Sequence, residues 1–209
     1  MNEVIKTIKD RRSIRKFLDK AVSKEDLLTI VDAGRNAPNS WGMQKFDFTI
    51  VTNEKVLCDL ADITYKYFPE EEWNRHRFFG AKQIILISGK REDIPVCYAD
   101  AGCAAENMFI AAQSMGISSV WSNQFSTLKD KKDLVDYLNT IGIDNDHIIT
   151  AVCIFGYANE VVKEKELISK VRIIDQYEKD SSCVVCFNRM LFNTICCFGH
   201  YFQLSWNIF

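Results

Sequence analysis

Residues 99–115 constrain the fold of this chain more than any other stretch. Ala101, Ala104, Ala105, Met108, Phe109, Ala111, Ala112 and Met115 recur at helical spacing but cover more than one stripe. A helix lying on one face of a sheet needs a single apolar stripe. This pattern predicts a helix buried on several sides, so the fold has to surround it. Its alanines allow another helix to approach closely, and Gly116 supplies a C-terminal stop.

The neighbouring segments predict what surrounds it. Val4, Ile5 and Ile8 stand at helical spacing near the N-terminus. Ser23 reads as an N-cap, followed by Glu25 and Asp26 at the positive end of a helix. Leu27, Leu28, Ile30, Val31 and Gly34 form its inner face, and Pro38 closes the segment. Phe46, Phe48 and Ile50 alternate with Asp47 and Thr49, the pattern of a half-buried strand. Residues 54–67 read as a helix. Gln83 to Ser88 is a continuous apolar run, hence a buried strand. Ile117 to Ser122 predicts a strand, Ser126 to Asn139 a capped helix, and Ile148 to Phe155 a last core strand. Residues 68–79 mix Phe68, Trp73, Phe78 and Phe79 with Glu70, Glu71, Glu72, Arg75 and Arg77. They read either as a cap over a site or as a surface helix packed by its aromatics. Helices and strands alternate, yet neither GxGxxG nor GxxxxGK[ST] occurs among the nine glycines. The predicted class is α+β, with a mixed, mainly antiparallel sheet flanked by helices.

Composition narrows the function. At 209 residues the chain suits one domain with a sizeable core. A net charge of −2 gives no basic excess to neutralise a nucleic-acid backbone. The first residues carry no apolar signal-peptide core, which predicts a cytoplasmic protein without a membrane partner. Cys58, Cys97, Cys103 and Cys153 lie among apolar residues and read as reduced, small core side chains. From Ser181 to Phe209 the composition shifts: no acid, no lysine, and four of the eight cysteines. A domain over 1–180 with an atypical extension over 181–209 is the predicted organisation. Cys183, Cys186, Cys196, Cys197 and His200 could hold zinc, although adjacent cysteines suit a tetrahedral site poorly. Residues 190–209 approach membrane-span length but are interrupted by polar side chains. An extension without a function is the third reading.

Chemistry is signalled first by Arg11-Arg12-Ser13-Ile14-Arg15. Arginine presents a planar donor fork matched to phosphate, and serine adds a hydroxyl. Such a cluster can hold a phosphate without a glycine-rich loop; it also reads as a solvated basic turn. The second signal is Ala37-Pro38-Asn39-Ser40-Trp41-Gly42-Met43-Gln44-Lys45-Phe46-Asp47-Phe48. Together the two segments resemble the nitroreductase family of FMN-dependent oxidoreductases. That family opens with Arg-x-Ser-x-Arg/Lys and continues with Ala-Pro-Ser-Ser-x-Asn-x-Gln-Pro-Trp-x-Phe. Ala37, Pro38, Ser40, Gln44 and Phe48 match; Gly42 replaces the usual Asn, Lys45 the Pro and Phe46 the Trp. The resemblance continues at Asp100-Ala101-Gly102, Gly116-Ile117, Val120-Trp121 and Gly156-Tyr157, and covers roughly residues 1–180.

The resemblance implies a nitroreductase-like fold in an interlocked homodimer, bound FMN, and NAD(P)H as a transient co-substrate. It implies that Arg11, Arg12 and Ser13 hold the phosphate and ribityl end while Arg15 approaches the flavin pyrimidine. Pro38, Asn39, Ser40 and Gln44 correspond to the segment lining the flavin, partly from the neighbouring subunit. Trp121 and Asn123 match the strand end that passes the ring system. Lys170 and Arg172 match basic residues that reach the phosphate, where an ordinary charged helix face would look the same. The implied reaction is a ping-pong transfer from NAD(P)H to a nitroaromatic, a quinone or another electron-poor acceptor. Hydride transfer of this kind requires no protein nucleophile, and His76, His147 and His200 read as isolated surface residues. Two other classes stay open: a flavin-binding or dimeric interaction protein without turnover, motivated by Gly42 and Lys45, and a zinc-dependent regulator built on the terminal cysteines.

Overall fold

A computed structural model describes residues 1–69 and 78–174. The charged and aromatic segment 70–77 and the cysteine-rich extension 181–209, with the readings attached to them, lie outside the described residues. The element order is α1 (Glu3–Asp10), α2 (Lys24–Arg35), β1 (Asp47–Val51), α3 (Glu54–Tyr67), β2 (Gln83–Lys90), α4 (Val96–Ser114), β3 (Ser118–Ser122), α5 (Gln124–Thr127), α6 (Lys132–Thr140) and β4 (His147–Gly156). The chain divides into two units, Met1–Lys165 and Glu166–Phe209. In the second, residues 166–174 carry no helix or strand.

The four strands form one sheet in the order β1-β2-β4-β3, every pair antiparallel. The parallel pairing is a single bridge, Ser13 to Ser119, made by the segment that follows α1. The apolar run of β2 is buried on both faces. Ile84 and Leu86 face a core with Leu57 and Leu60 of α3 and Leu134 and Leu138 of α6. Ile85 and Ile87 face a second core with Leu27 and Ile30 of α2 and Ala101, Ala104, Ala105 and Met108 of α4. Burying one such large aliphatic side chain is worth about 1.5–3 kcal/mol, so the two layers supply most of the driving force.

The helix α4 packs between the sheet and α2, buried on those sides, while Ala99, Cys103 and Glu106 leave one stripe exposed. Close approach depends on Gly34 of α2. A Cβ there would stand 2.8 Å from Met108 Cγ and 3.2 Å from Phe48 Cε1. The N-caps of α1, α2 and α3 are Asn2, Ser23 and Asn53, each accepting a bond from the N–H three residues on.

Three expectations are corrected. The single helix over 126–139 is two helices, α5 and α6. Buried Leu128 and the pairing of Asp130 with Arg91 (2.6 Å) and Lys129 (2.7 Å) turn the chain between them. Ser126 does not cap a helix; its hydroxyl donates back to the Asn123 carbonyl at 2.6 Å. Cys103 is exposed rather than a core residue, whereas Cys97 and Cys153 are buried. Burial pushes both of those thiols up, away from the reactive thiolate. His147 is not isolated. The sheet brings Asp47 of β1 within 3.6 Å of its Nε2, and the adjacent Asp146 lies 3.2 Å from its Nδ1.

Candidate functional site

The helix α1 ends at Arg11, and the chain then runs extended across the end of the sheet. Ile14 and Phe17 enter the core, while Arg15 and Lys16 between them stay exposed. Main-chain bonds strap the segment down. The Ile14 N–H donates to Ser119 at 3.1 Å, Phe17 to Phe79 at 3.2 Å, and Leu18 to Tyr157 at 2.8 Å. The Asn159 N–H returns a bond to the Lys16 carbonyl at 2.8 Å. Gly156 makes room for this strap, since a Cβ there would lie 2.7 Å from the Phe17 ring.

The two adjacent arginines differ. Arg11 stands 5.8 Å above the Phe109 ring of α4, and its Nε is 3.7 Å from Glu106, beyond hydrogen-bond range. The Arg12 guanidinium turns to carbonyls instead: Lys9, Arg11 at 2.9 Å and Lys163 at 3.4 Å. It closes the carbonyl end of α1. Ser13 pairs with Ser119. The Ser119 hydroxyl is buried and has no partner, an uncommon and costly state for a polar atom. The Arg15 N–H donates to the Glu160 carboxylate.

The second segment is a strained turn. Trp41 (φ 52), Gly42 (φ 68) and Gln44 (φ 50) are all left-handed. For a residue with a Cβ this costs about 1–2 kcal/mol, so the surroundings must hold it. Asn39 Oδ1 accepts from the Gln44 N–H at 2.9 Å, and Gln44 Nε2 donates to the Arg35 carbonyl at 3.2 Å. The Ser40 N–H and hydroxyl both donate to Asp100 Oδ1 of α4, each at 3.0 Å. At Lys45 the Nζ meets Asp93 at 2.8 Å, and that hydrogen bond raises the ammonium pKa. Pro38 is exposed, and Trp41 is 83% exposed at the tip.

Trp121 is half-buried on β3, edge-on to Phe109 at 6.4 Å. Asn123 is exposed just beyond that strand. Lys170 and Arg172 are exposed in the second unit, on a segment that is not helical, so no charged helix face exists there. The structure therefore brings Arg11 and Trp121 together on Phe109, and the turn onto Asp100. A groove of about 1070 Å³ beside Val22, Ile50, Leu57 and Gln83 is lined by none of the predicted residues. Sequence reasoning gave Asp100, Phe109, Ser119 and Glu160 no role. Asp100 carried a usable signal, an acid on an otherwise apolar helix face; Ser119 carried none.

A sheet covered on both sides, a helix packed between it and α2, and an arginine-bearing strap describe an α+β protein with no dinucleotide fingerprint. The model of the nitroreductase family matches residues 8–157, more than half of the chain. The chain belongs to the nitroreductase family. A crystal structure of a nitroreductase with bound FMN from Bacteroides fragilis is similar at 30% identity and a TM-score of 0.76, covering 84% of this chain and all of that one. A second FMN-bound nitroreductase, from Desulfitobacterium hafniense, shares the fold at 22% identity and a TM-score of 0.75, with 84% and 100% covered. A Bacillus subtilis FMN reductase (NADPH) is 29% identical over 172 residues, which are 76% of this chain and 65% of that protein.

Proposed function

We propose that this protein is an FMN-dependent NAD(P)H oxidoreductase that passes electrons to a nitroaromatic, a quinone or a similar electron-poor acceptor. NAD(P)H and acceptor use one cleft in turn, a ping-pong exchange. The carrying observation is Arg11: a guanidinium on the ring of Phe109, with its nearest carboxylate too distant to saturate its donors. With Ser13 two residues along the same strap, the donor set suits a phosphate. FMN would supply the redox chemistry when bound. The protein's own work is holding and orienting. Arg11, Arg12 and Ser13 would take the phosphate and ribityl end, with Lys170 and Arg172 as further cations. Arg15 would face the pyrimidine, its backbone fixed by Glu160. Pro38, Asn39, Ser40 and Gln44 would line the ring from a preformed turn, with Trp121 and Asn123 at the strand end.

Helix geometry supports a site shared between two copies. Ser40 is bound at Asp100, whereas Arg11 lies at Glu106 and Phe109. At 3.6 residues per turn, Phe109 is about 180° and Glu106 about 120° around α4 from Asp100. In one protomer the turn and the arginine therefore engage different sides of the helix. Exposed Val4, Ile5 and Ile8 on α1 give a homodimer apolar surface to cover.

Heat release of the cofactor followed by chromatography tests the reading. FMN is the expected species, and NAD(P)H should bleach the bound flavin under anaerobic conditions. Flavin that binds without bleaching would favour the interaction-protein reading, and no flavin after reconstitution would overturn both.

A further inference from the structure

We infer that Asp100 is a positioning residue for the flavin-facing turn, acting through Ser40; the inference rests on the FMN reading above. The turn carries three left-handed residues in a row of four, so it has to be held. The bonds made by Asn39 and Gln44 stay within the turn or reach back to Arg35 at the end of α2. They fix its shape but not its place on α4. Ala37 and Phe46, at the ends of the segment, pack in the core that includes the same helix. Among the described residues, two polar contacts tie the turn between them to the 91–114 region: Ser40 to Asp100 and Lys45 to Asp93. The Lys45 side chain is 48% exposed, so its ion pair is screened by solvent. Asp100 is 6% exposed, and one carboxylate oxygen takes both the main-chain and side-chain donors of Ser40.

A charge-assisted pair of bonds in a buried place is stiff. It fixes both the backbone and the rotamer of Ser40. Asp100 itself touches no reacting atom under this assignment. Its carboxylate acts as an acceptor of two bonds, so an amide oxygen at the same place can serve. That separates positioning from a purely electrostatic effect.

The test uses the full chain with FMN, in Asp100→Asn, Asp100→Ala and Ser40→Ala variants. Three quantities are measured: FMN dissociation constant by fluorescence, kcat and KM, and amide exchange of a peptide covering residues 38–46 without flavin. Asp100→Asn should keep FMN affinity within about threefold and retain exchange protection of the turn. Asp100→Ala should weaken FMN by about tenfold to a hundredfold, the range for bonds to a charged group, and lose that protection. If Asp100→Ala does not fold, Ser40→Ala carries the test, because it leaves the carboxylate in place. It should fold and lose about threefold to tenfold in FMN affinity. Wild-type affinity and exchange in a folded Asp100→Ala or in Ser40→Ala would overturn the inference, as would an Asp100→Asn as impaired as Asp100→Ala. A wild-type protein that binds no FMN would instead sink the functional reading, and this inference with it.

Discussion

Arg11 and Arg12 are neighbours in unlike surroundings. Arg11 lies over an aromatic ring, while Arg12 already donates to the carbonyls of Lys9 and Arg11 at the end of α1 and, at longer range, of Lys163. Arg11→Ala should therefore weaken FMN binding by about tenfold to a hundredfold. Lys170→Ala, at an exposed position, should cost less. Titration of both variants by flavin fluorescence checks the order; equal losses would show a misplaced phosphate site. Tyr137 makes a separate prediction. It donates to Asp59 at 2.8 Å, and burial first, then that bond, pushes its phenol up to about 12. The neutral phenol is favoured by folding. Its stabilisation is complete below about pH 10, the ordinary tyrosine value, and is lost as pH rises through about 12. Tyr137→Phe should lower the urea midpoint at pH 8 and narrow its gap to wild type at pH 11.5. At this scale the sequence was only half legible. The Arg/Ser cluster is contiguous, so its composition alone marks it. The grip of Asp100 on Ser40 spans sixty positions, and the left-handed φ of Trp41 and Gln44 goes against their intrinsic preference.

Among elements, two glycines set close approaches of different stiffness. At Gly34 an added Cβ meets Met108, a pliable side chain, whereas at Gly156 it meets the rigid Phe17 ring at 2.7 Å. Overpacking costs about 1–3 kcal/mol, so Gly34→Ala should fall at the low end and Gly156→Ala at the high end. Gly156→Ala should also weaken FMN binding, because Phe17 anchors the strap that carries Arg11 to Arg15. Thermal denaturation with a parallel FMN titration reads both effects. A Gly34→Ala more damaging than Gly156→Ala would contradict this account of the strap. Element types were legible because local patterns set them: β2 reads as an apolar run and α2 starts at a serine cap. The break between α5 and α6 was not, because it depends on Arg91, distant in sequence, drawing Asp130 out of a helical path.

For the whole molecule, the shared-site proposal predicts a dimer that survives dilution to low micromolar concentration. Obligate interfaces commonly bury more than about 2,000 Å² in total, and their loss should release flavin. Sedimentation of flavin-loaded protein across a dilution series measures this, and a monomer retaining stoichiometric FMN would refute it. No helix among the described residues is long and apolar enough to cross a membrane. The strap also links two equilibria. Its outward side chains are the proposed ligand contacts, and its inward ones, Ile14 and Phe17, are core residues. Peeling it off the sheet would break up the binding site and uncover the core in one motion. Ligand saturation is thus coupled to local unfolding by mass action, and at a hundredfold excess over Kd it is worth about 2.7 kcal/mol. Flavin supply would then help set how much of this chain survives proteolysis, quite apart from how fast it turns over.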